Sequence, residues 1–474
     1  MFSSTSFVTS QPQPPPPPLP TTETWIVSTS IDKPDPRTRR IIRSKAMRGR
    51  NTRADRQAWA RARSQRDEAL FCQRADAHAQ QPALPIPRKI ASELALDRYG
   101  FEMKPYMLDL MYQGFNTVKP CTYAVDMKLI NESETELYAL NDIHRHRATI
   151  HSILFASQAF QDLSRGQPFG DIAQFHLGKT LHYLQQSLND QNGAISMATI
   201  AVVTTLASAA SMFGDLETVE KHMNGLHQIF ELRGGMQSLQ RGSLIQHKAQ
   251  RLDLSLSMST GQKPRLFPDE ISWSPQITRA GFATRYKELD LIQPAPDPRL
   301  IGIWADLKHY STMANKAWES GGKISPEFFL LFSTSIPIRL LDLEYEISSI
   351  SELMRLAMLA NVKGVLFRIP GVGRRMRYLF NRLEQALQAQ QYPPLPENAR
   401  LIFWALIVSG ISIFEDFDQV WLRSTLVQTA LVLGVQGWSK ARAILRSVAW
   451  IDVIYDGPAE TAFDQWHPGA RYES

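Results

Sequence analysis

Three groups of histidines are the first places in this sequence where metal or acid–base chemistry could reside. His144, His146 and His151 fall within eight residues, His176 and His182 are six apart, and His222 and His227 are five apart. A zinc site needs three or four ligands converging on one point. On a helix His144 and His151 share a face while His146 points elsewhere, and separations of five or six share none. No metal is therefore expected. The two cysteines, Cys72 and Cys121, have 48 residues between them. Without a matching histidine pair they close neither a disulfide framework nor a zinc site, and they read as free thiols in a reducing compartment. No G-x-S-x-G elbow and no G-x-x-x-x-G-K-[ST] phosphate loop occurs. Gly371-Val372-Gly373-Arg374 lacks the third glycine of a dinucleotide fingerprint, and no carboxylates stand at a catalytic spacing. The expectation is a non-enzyme that carries no cofactor.

Charge tells more. Between Arg37 and Arg66 there are eleven arginines and one lysine against a single acid, Asp55, so this stretch holds +11 and leaves −5 for the rest of a chain whose net charge is +6. An acidic body with a strongly basic arm is suited to nucleic acid or to an import receptor. Arg37, Arg39, Arg40, Arg43, Lys45, Arg48, Arg50 and Arg53 could neutralise several phosphates, and guanidinium groups do so in bidentate fashion. Such binding would be salt-sensitive and largely independent of sequence. Import recognition needs the same residues, so both roles stay open. No leucine heptad follows Arg66, which excludes a zipper-type basic region.

Elements of four kinds must position these groups. Residues 1–36, with a run of prolines at 14–18, read as a disordered tail in which the prolines favour an extended left-handed helix. Residues 37–80 form the basic arm, partly helical from about Thr52 to His78. Pro82, Pro85 and Pro87 make a linker over 81–89. The remainder, 90–474, reads as one all-α domain, large and bundle-like, with two lobes as an option. Leu177, Leu181, Leu184 and Leu188 recur at helical spacing, and Val219, Met223, Leu226, Ile229 and Phe230 line one face of another helix that Gly234-Gly235 ends. Later helices are expected at 299–318, 325–333, 346–361, 373–390, 396–414 and 418–434, with a last one near 438–452.

Two apolar stretches, Ala194–Phe213 and Leu401–Phe414, could suggest a membrane. The first is diluted by Ser and Thr and the second is too short, so both read as core helices of a soluble domain. The start of the chain, MFSSTSFVTSQPQ, has no basic n-region or apolar h-region of a secretory signal.

Two segments resemble a known family. His222-Met223-Asn224-Gly225-Leu226, an aliphatic stripe, and Leu232-Arg233-Gly234-Gly235 are followed by Arg251-Leu252-Asp253-Leu254 and by Thr260-Gly261-Gln262-Lys263-Pro264 through Pro268. This order resembles the fungal-specific transcription factor domain, over about residues 90–455. Phe7-Val8-Thr9-Ser10 and the block Arg39–Arg48 resemble the start of a fungal subgroup often labelled tachykinin-family proteins, with Lys45 where histidine would be usual. The motif residues, His222, Gly225, Leu226, Arg233, Gly234, Gly235, Arg251, Asp253, Pro264 and Pro268, are expected to hold the fold. Gly225 inside a helix suggests close helix packing, Gly234 or Gly235 a left-handed cap, and Arg233 either complements the helix dipole or pairs with Asp253.

The resemblance implies a nuclear regulator. Members usually carry a six-cysteine zinc cluster that reads DNA, and two cysteines cannot form one. Either the arm contacts DNA, or the protein is a co-regulator that needs a zinc-cluster partner. DNA, an import receptor, a second copy of the chain and such a partner are the expected contacts, and a membrane is not.

Overall fold

A computed structural model describes residues 103–119, 123, 128–130, 146–239, 243–267, 270–278, 289, 292–368, 376–414 and 420–466. All lie in the compact unit Ala69–Ser474. The tail, the basic arm, the linker, both cysteines, His144, Pro268 and the Gly371–Arg374 turn lie outside the described residues.

The fold is all-α. Among the described residues fifteen helices run in the order α1 (Pro105–Gln113), α2 (Arg147–Ser164), α3 (Asp171–Leu188), α4 (Gln191–Ala194), α5 (Met197–Met212), α6 (Leu216–Arg233), α7 (Leu244–Thr260), α8 (Pro298–Glu319), α9 (Pro326–Asp342), α10 (Ile350–Leu366), α11 (Arg377–Gln388), α12 (Pro396–Ser409), α13 (Val420–Val432), α14 (Trp438–Val448) and α15 (Asp452–Trp466). Wide π turns extend α1 through Gly114–Val118 and α12 through Gly410–Phe414. Among the described residues the sole extended pairing is the isolated bridge between Ile130 and Ile324.

Local chemistry sets many of the boundaries. Ser196, Asp215, Ser243, Ser325 and Ser349 each accept a hydrogen bond from a backbone N–H three residues on. A cap of this kind satisfies one of the donors a helix start leaves open and stabilises by about 1 kcal/mol. Gly214 and Gly261 adopt left-handed φ of 71° and 81° where α5 and α7 end.

Two large apolar cores and one small one follow from the helical periodicity. The first packs α2, α3, α5 and α6 around Ile200, Leu206, Leu226 and Phe230. The second packs α8 to α15 around Trp304, Leu353, Trp404 and Leu445. A third joins α1 to α2 through Met111, Ile150 and Leu154. Helix α7 serves both large cores, because Ile245, Ala249 and Leu252 belong to the first while Leu254 and Met258 belong to the second. The apolar stretch expected in the middle of a bundle is α5, in contact with α2, α3, α6 and α7. The continuous run Pro396–Phe414 is long and apolar enough to cross a membrane by length and composition, yet 83% of its apolar window is buried inside the body.

Buried charge fixes how elements dock. The Asp306 carboxylate accepts from the backbone N–H of Gln276 (2.8 Å), Ile277 (2.9 Å) and Thr278 (2.8 Å), and from Arg339 Nη2 at 2.6 Å. It ties α8 to α9 and to the strap at 270–278, with both charged side chains almost fully buried. Glu352 forms a bidentate pair with Arg355 at 2.7 Å on each arm and also accepts from Arg382 at 2.8 Å, linking α10 to α11.

Two sequence expectations fail at prolines. The helix expected at 325–333 continues past Pro337 to Asp342. Proline lacks a backbone donor and costs a helix interior roughly 3 kcal/mol. Phe332 and Ile336 before Pro337 and Leu340 after it, none with measurable exposure, together bury more than that. The helix expected near 438–452 is also not the last, since it ends at Val448 and a further helix follows from Asp452. Gly457-Pro458 reads as a breaker, but α15 runs through it because Tyr455, Ala459 and Phe463 complete the second core.

Candidate functional site

The family-like motif sits where α6 ends and α7 begins. Val219, Met223, Leu226, Ile229 and Phe230 are the buried residues of α6, the face read from the sequence. Gly234 takes φ 97° as the helix cap, and Gly235, at φ 91°, donates its N–H to Phe230 O at 2.7 Å. Arg233 does not pair with Asp253. Its Nη1 donates to Ile195 O at 2.6 Å and pins the end of α6 to the turn before α5. Gly225 also departs from expectation: a Cβ added there would meet nothing within 4 Å, so close helix packing is not the reason for this glycine. His222, beside it, is pushed down to about 4 by burial, against the opposing pull of Asp215.

Asp253 and Arg251 point to different partners. Asp253 accepts from the N–H groups of Arg265 and Leu266, both at 2.7 Å, and so folds the segment after α7, which includes half-buried Pro264, back onto the helix. Burial raises the Asp253 pKa against the lowering effect of these two donors. Arg251 donates to the carbonyl of Leu366 at the end of α10, and its guanidinium lies 4.9 Å from the Tyr123 ring centre and 5.9 Å from that of Phe367. Cation–π contacts of this kind strengthen as the pair is desolvated.

Arg251 also borders a cavity of about 230 Å³, bounded by α2, α5 and α7, the π turn after α1 and the end of α10. Each of three helices turns one regular stripe toward it: Thr149, Ile153, Ala156 and Ser157 from α2; Ala201, Thr204, Thr205, Ser208, Ala209 and Met212 from α5; Leu244, Lys248, Arg251, Leu252 and Ser255 from α7. Spacings of three, four, seven and eight put such residues on one helical face. The small side chains on α2 and α5 leave the space. Of the Ser and Thr that dilute the apolar α5 sequence, Thr204, Thr205 and Ser208 lie on the cavity side, and they donate back to Ile200, Ala201 and Thr204 carbonyls in their own helix. One end of the wall is basic, with Lys119, Lys248 and Arg251 around Tyr123, and the described wall contains no Asp or Glu. Arg251 was singled out from the sequence as a motif residue, whereas Lys119, Lys248 and Thr149 were not. The available signal was the i, i+3 pair Lys248–Arg251 on an otherwise amphipathic helix.

A second cluster was missed because its members belong to different histidine groups. His151 on α2 and His176 on α3 face each other with Nδ1 atoms 2.8 Å apart, so one ring donates and the other accepts. Tyr106 Oη lies 3.4 Å from His176 Nε2, and Tyr183 stacks on His151 at 5.7 Å. Burial above all, with nearby Lys179 adding to it, lowers the pKa values to about 4 for His151 and about 3 for His176. Both are neutral rings near pH 7. His146 is exposed at the start of α2, His182 contacts Gln186 at 3.1 Å, and His227 faces Glu231 at 3.4 Å. Among the described residues no three His, Cys, Asp or Glu side chains are grouped as metal ligands.

The motif therefore defines a helical domain whose distinctive residues cap helices and anchor loops around a half-open cavity. Residues 137–305, the segment that contains α2 to α7 and every described motif residue, match the fungal specific transcription factor domain, and the family read from the sequence is shown for this segment. No curated protein and no solved structure matches the chain. The match supports, in general terms, a fungal transcriptional regulator.

Proposed function

We propose that the protein acts in the nucleus as a transcriptional regulator, with the arm at 37–66 meeting DNA phosphates or an import receptor and the helical body carrying regulation and self-association. The observation that carries this reading is the family match over residues 137–305, which belongs to a family of regulators and not of enzymes. The +11 arm supports the DNA and import roles. Arginine-rich segments bind duplex DNA chiefly by counterion release, so affinity falls steeply with salt. In the test, the full protein and a form lacking residues 1–80 are titrated with random duplex DNA across a salt series, and both are followed for nuclear accumulation. The full protein should bind with a steep salt slope and accumulate in nuclei, and the shortened form should do neither. Salt-independent binding, or equal behaviour of the two forms, contradicts the role given to the arm.

One observation favours a second reading. The chain holds two cysteines, too few for a six-thiolate zinc cluster. A co-regulator that reaches promoters through a zinc-cluster partner would show no DNA binding by either form at low salt, together with recovery of such a partner alongside the full protein.

A further inference from the structure

We propose that the outer face of α13 joins two copies of this chain through an antiparallel helix pair, in which Val420 meets Leu431 of the second copy and Ser424 meets its Val427. The proposal rests on the self-association given to the helical body and names the surface that performs it. Helix α13 lies outside the matched segment 137–305, so this face is no part of the family match.

Helix α13 is apolar on two sides and packed on one. Leu422, Leu426 and Ala430 enter the second core, and the helix contacts α12 and α15. On the other side Val420 is 82% exposed, Leu431 73%, Val427 39% and Val432 37%. A helix that is apolar all round is ordinarily enclosed. Exposed apolar side chains scattered singly mean little, but a group of them marks a contact surface. Val420, Ser424, Val427 and Leu431 follow one another at spacings of four, three and four, which sets them in one line along the helix. Lines of this spacing form the ridges and seams by which helices pack side by side.

Spacing, charge and size together select a second copy as the occupant. The spacing reads four, three, four in either direction, so the line is its own complement under a two-fold axis passing between Thr425 and Leu426. The larger side chains then meet at the two ends, and short Ser424 lies in the middle, where the helices come closest. Arg423 is the one charged residue in the sequence of α13, VWLRSTLVQTALV, so a strongly charged partner such as DNA finds no complement on this face. The same axis sets Arg423 against Gln428 of the second copy and not against another Arg423. Helix α13 has 13 residues and is about 20 Å long. One face of that length supplies less than the roughly 800 Å² per partner of a standard interface. The pairing is therefore a reversible association in the micromolar range and not an obligate dimer.

The full-length protein is followed by sedimentation velocity from about 1 to about 200 µM. High salt screens charge contacts made by the basic arm. The average mass should rise from that of one copy toward that of two. Val427→Asp and Ser424→Lys should each weaken association at least about tenfold, because like charges then meet beside the axis. An equal mixture of the two variants should recover association, since the new carboxylate of one copy faces the new ammonium of the other. Both positions are exposed, so both variants should fold, with far-ultraviolet dichroism and thermal midpoint as the check. Leu431→Glu, at a 73% exposed position, breaks the line at its end should either variant misfold. A wild-type chain that stays single at every concentration overturns the proposal together with the self-association of the body. Undiminished association in Val427→Asp, or no recovery in the mixture, overturns this face and this pairing alone. None of these outcomes bears on the DNA and import tests of the regulatory reading.

Discussion

Acid should destabilise this fold through the histidine pair between α2 and α3. Unfolded histidines titrate near 6.5, whereas folded His151 and His176 titrate at about 4 and about 3. Between these limits the unfolded chain binds more protons than the folded one, so stability falls as pH falls. The contribution is intact above pH 6.5 and is lost progressively below it. From pH 7.5 to pH 5.0 the linkage integral gives about 2 kcal/mol for each ring, or about 4 kcal/mol for the pair. That is a large share of a typical unfolding free energy of about 5–15 kcal/mol. The assay is urea denaturation at half-unit pH steps for the wild type and for His176→Gln, whose amide keeps a hydrogen-bonding group opposite His151 Nδ1. Substitution shifts the whole curve by some constant, but the pH-dependent part should shrink by about 2 kcal/mol over this window. Parallel curves for the two proteins, or a wild-type stability flat between pH 7.5 and 5.0, would refute the reasoning.

Other predictions concern anchors. Asp306→Asn removes the charge facing buried Arg339 while keeping the shape, and leaving an uncompensated buried cation should cost about 3–5 kcal/mol in urea denaturation. A loss below 1 kcal/mol would show that this ion pair does not dock α8 on α9. Gly225→Ala should stabilise by about 1 kcal/mol, since the added Cβ meets open space in a helix interior. Gly234→Ala, at φ 97°, should instead destabilise by about 1–2 kcal/mol. Equal effects of the two glycine substitutions would undo the distinction drawn between them.

Periodicity made much of the fold legible. The buried face of α6 coincides with its apolar stripe, and α5 is interior because apolar residues surround it. Reading failed where a local rule met a larger tertiary term. Pro337 and Gly457-Pro458 are correct stop signals in isolation, but each helix continues because residues beyond the signal fill a core. On α3 the leucine stripe misleads by part of a turn. The buried line is Ala173, His176, Thr180 and Leu184, while Leu177, Leu181 and Leu188 are only partly buried. That offset brings His176 inward to meet His151, a partner 25 residues away on another helix. No spacing rule within one helix can reveal such a pair. The cavity was illegible for a related reason, since it consists of volume left by small residues on helices that the sequence does not place side by side.

Helix α7 shows why the motif marks the domain without itself being a site. Its period divides neighbouring residues among separate tasks. Asp253 turns to the loop at 265–266, Leu254 and Met258 enter the second core, and Lys248 faces the cavity. Arg251 performs two tasks at once, bordering the cavity and donating to Leu366 at the end of α10. Anything that alters the cavity at its basic end therefore acts on a residue already bonded to the second core.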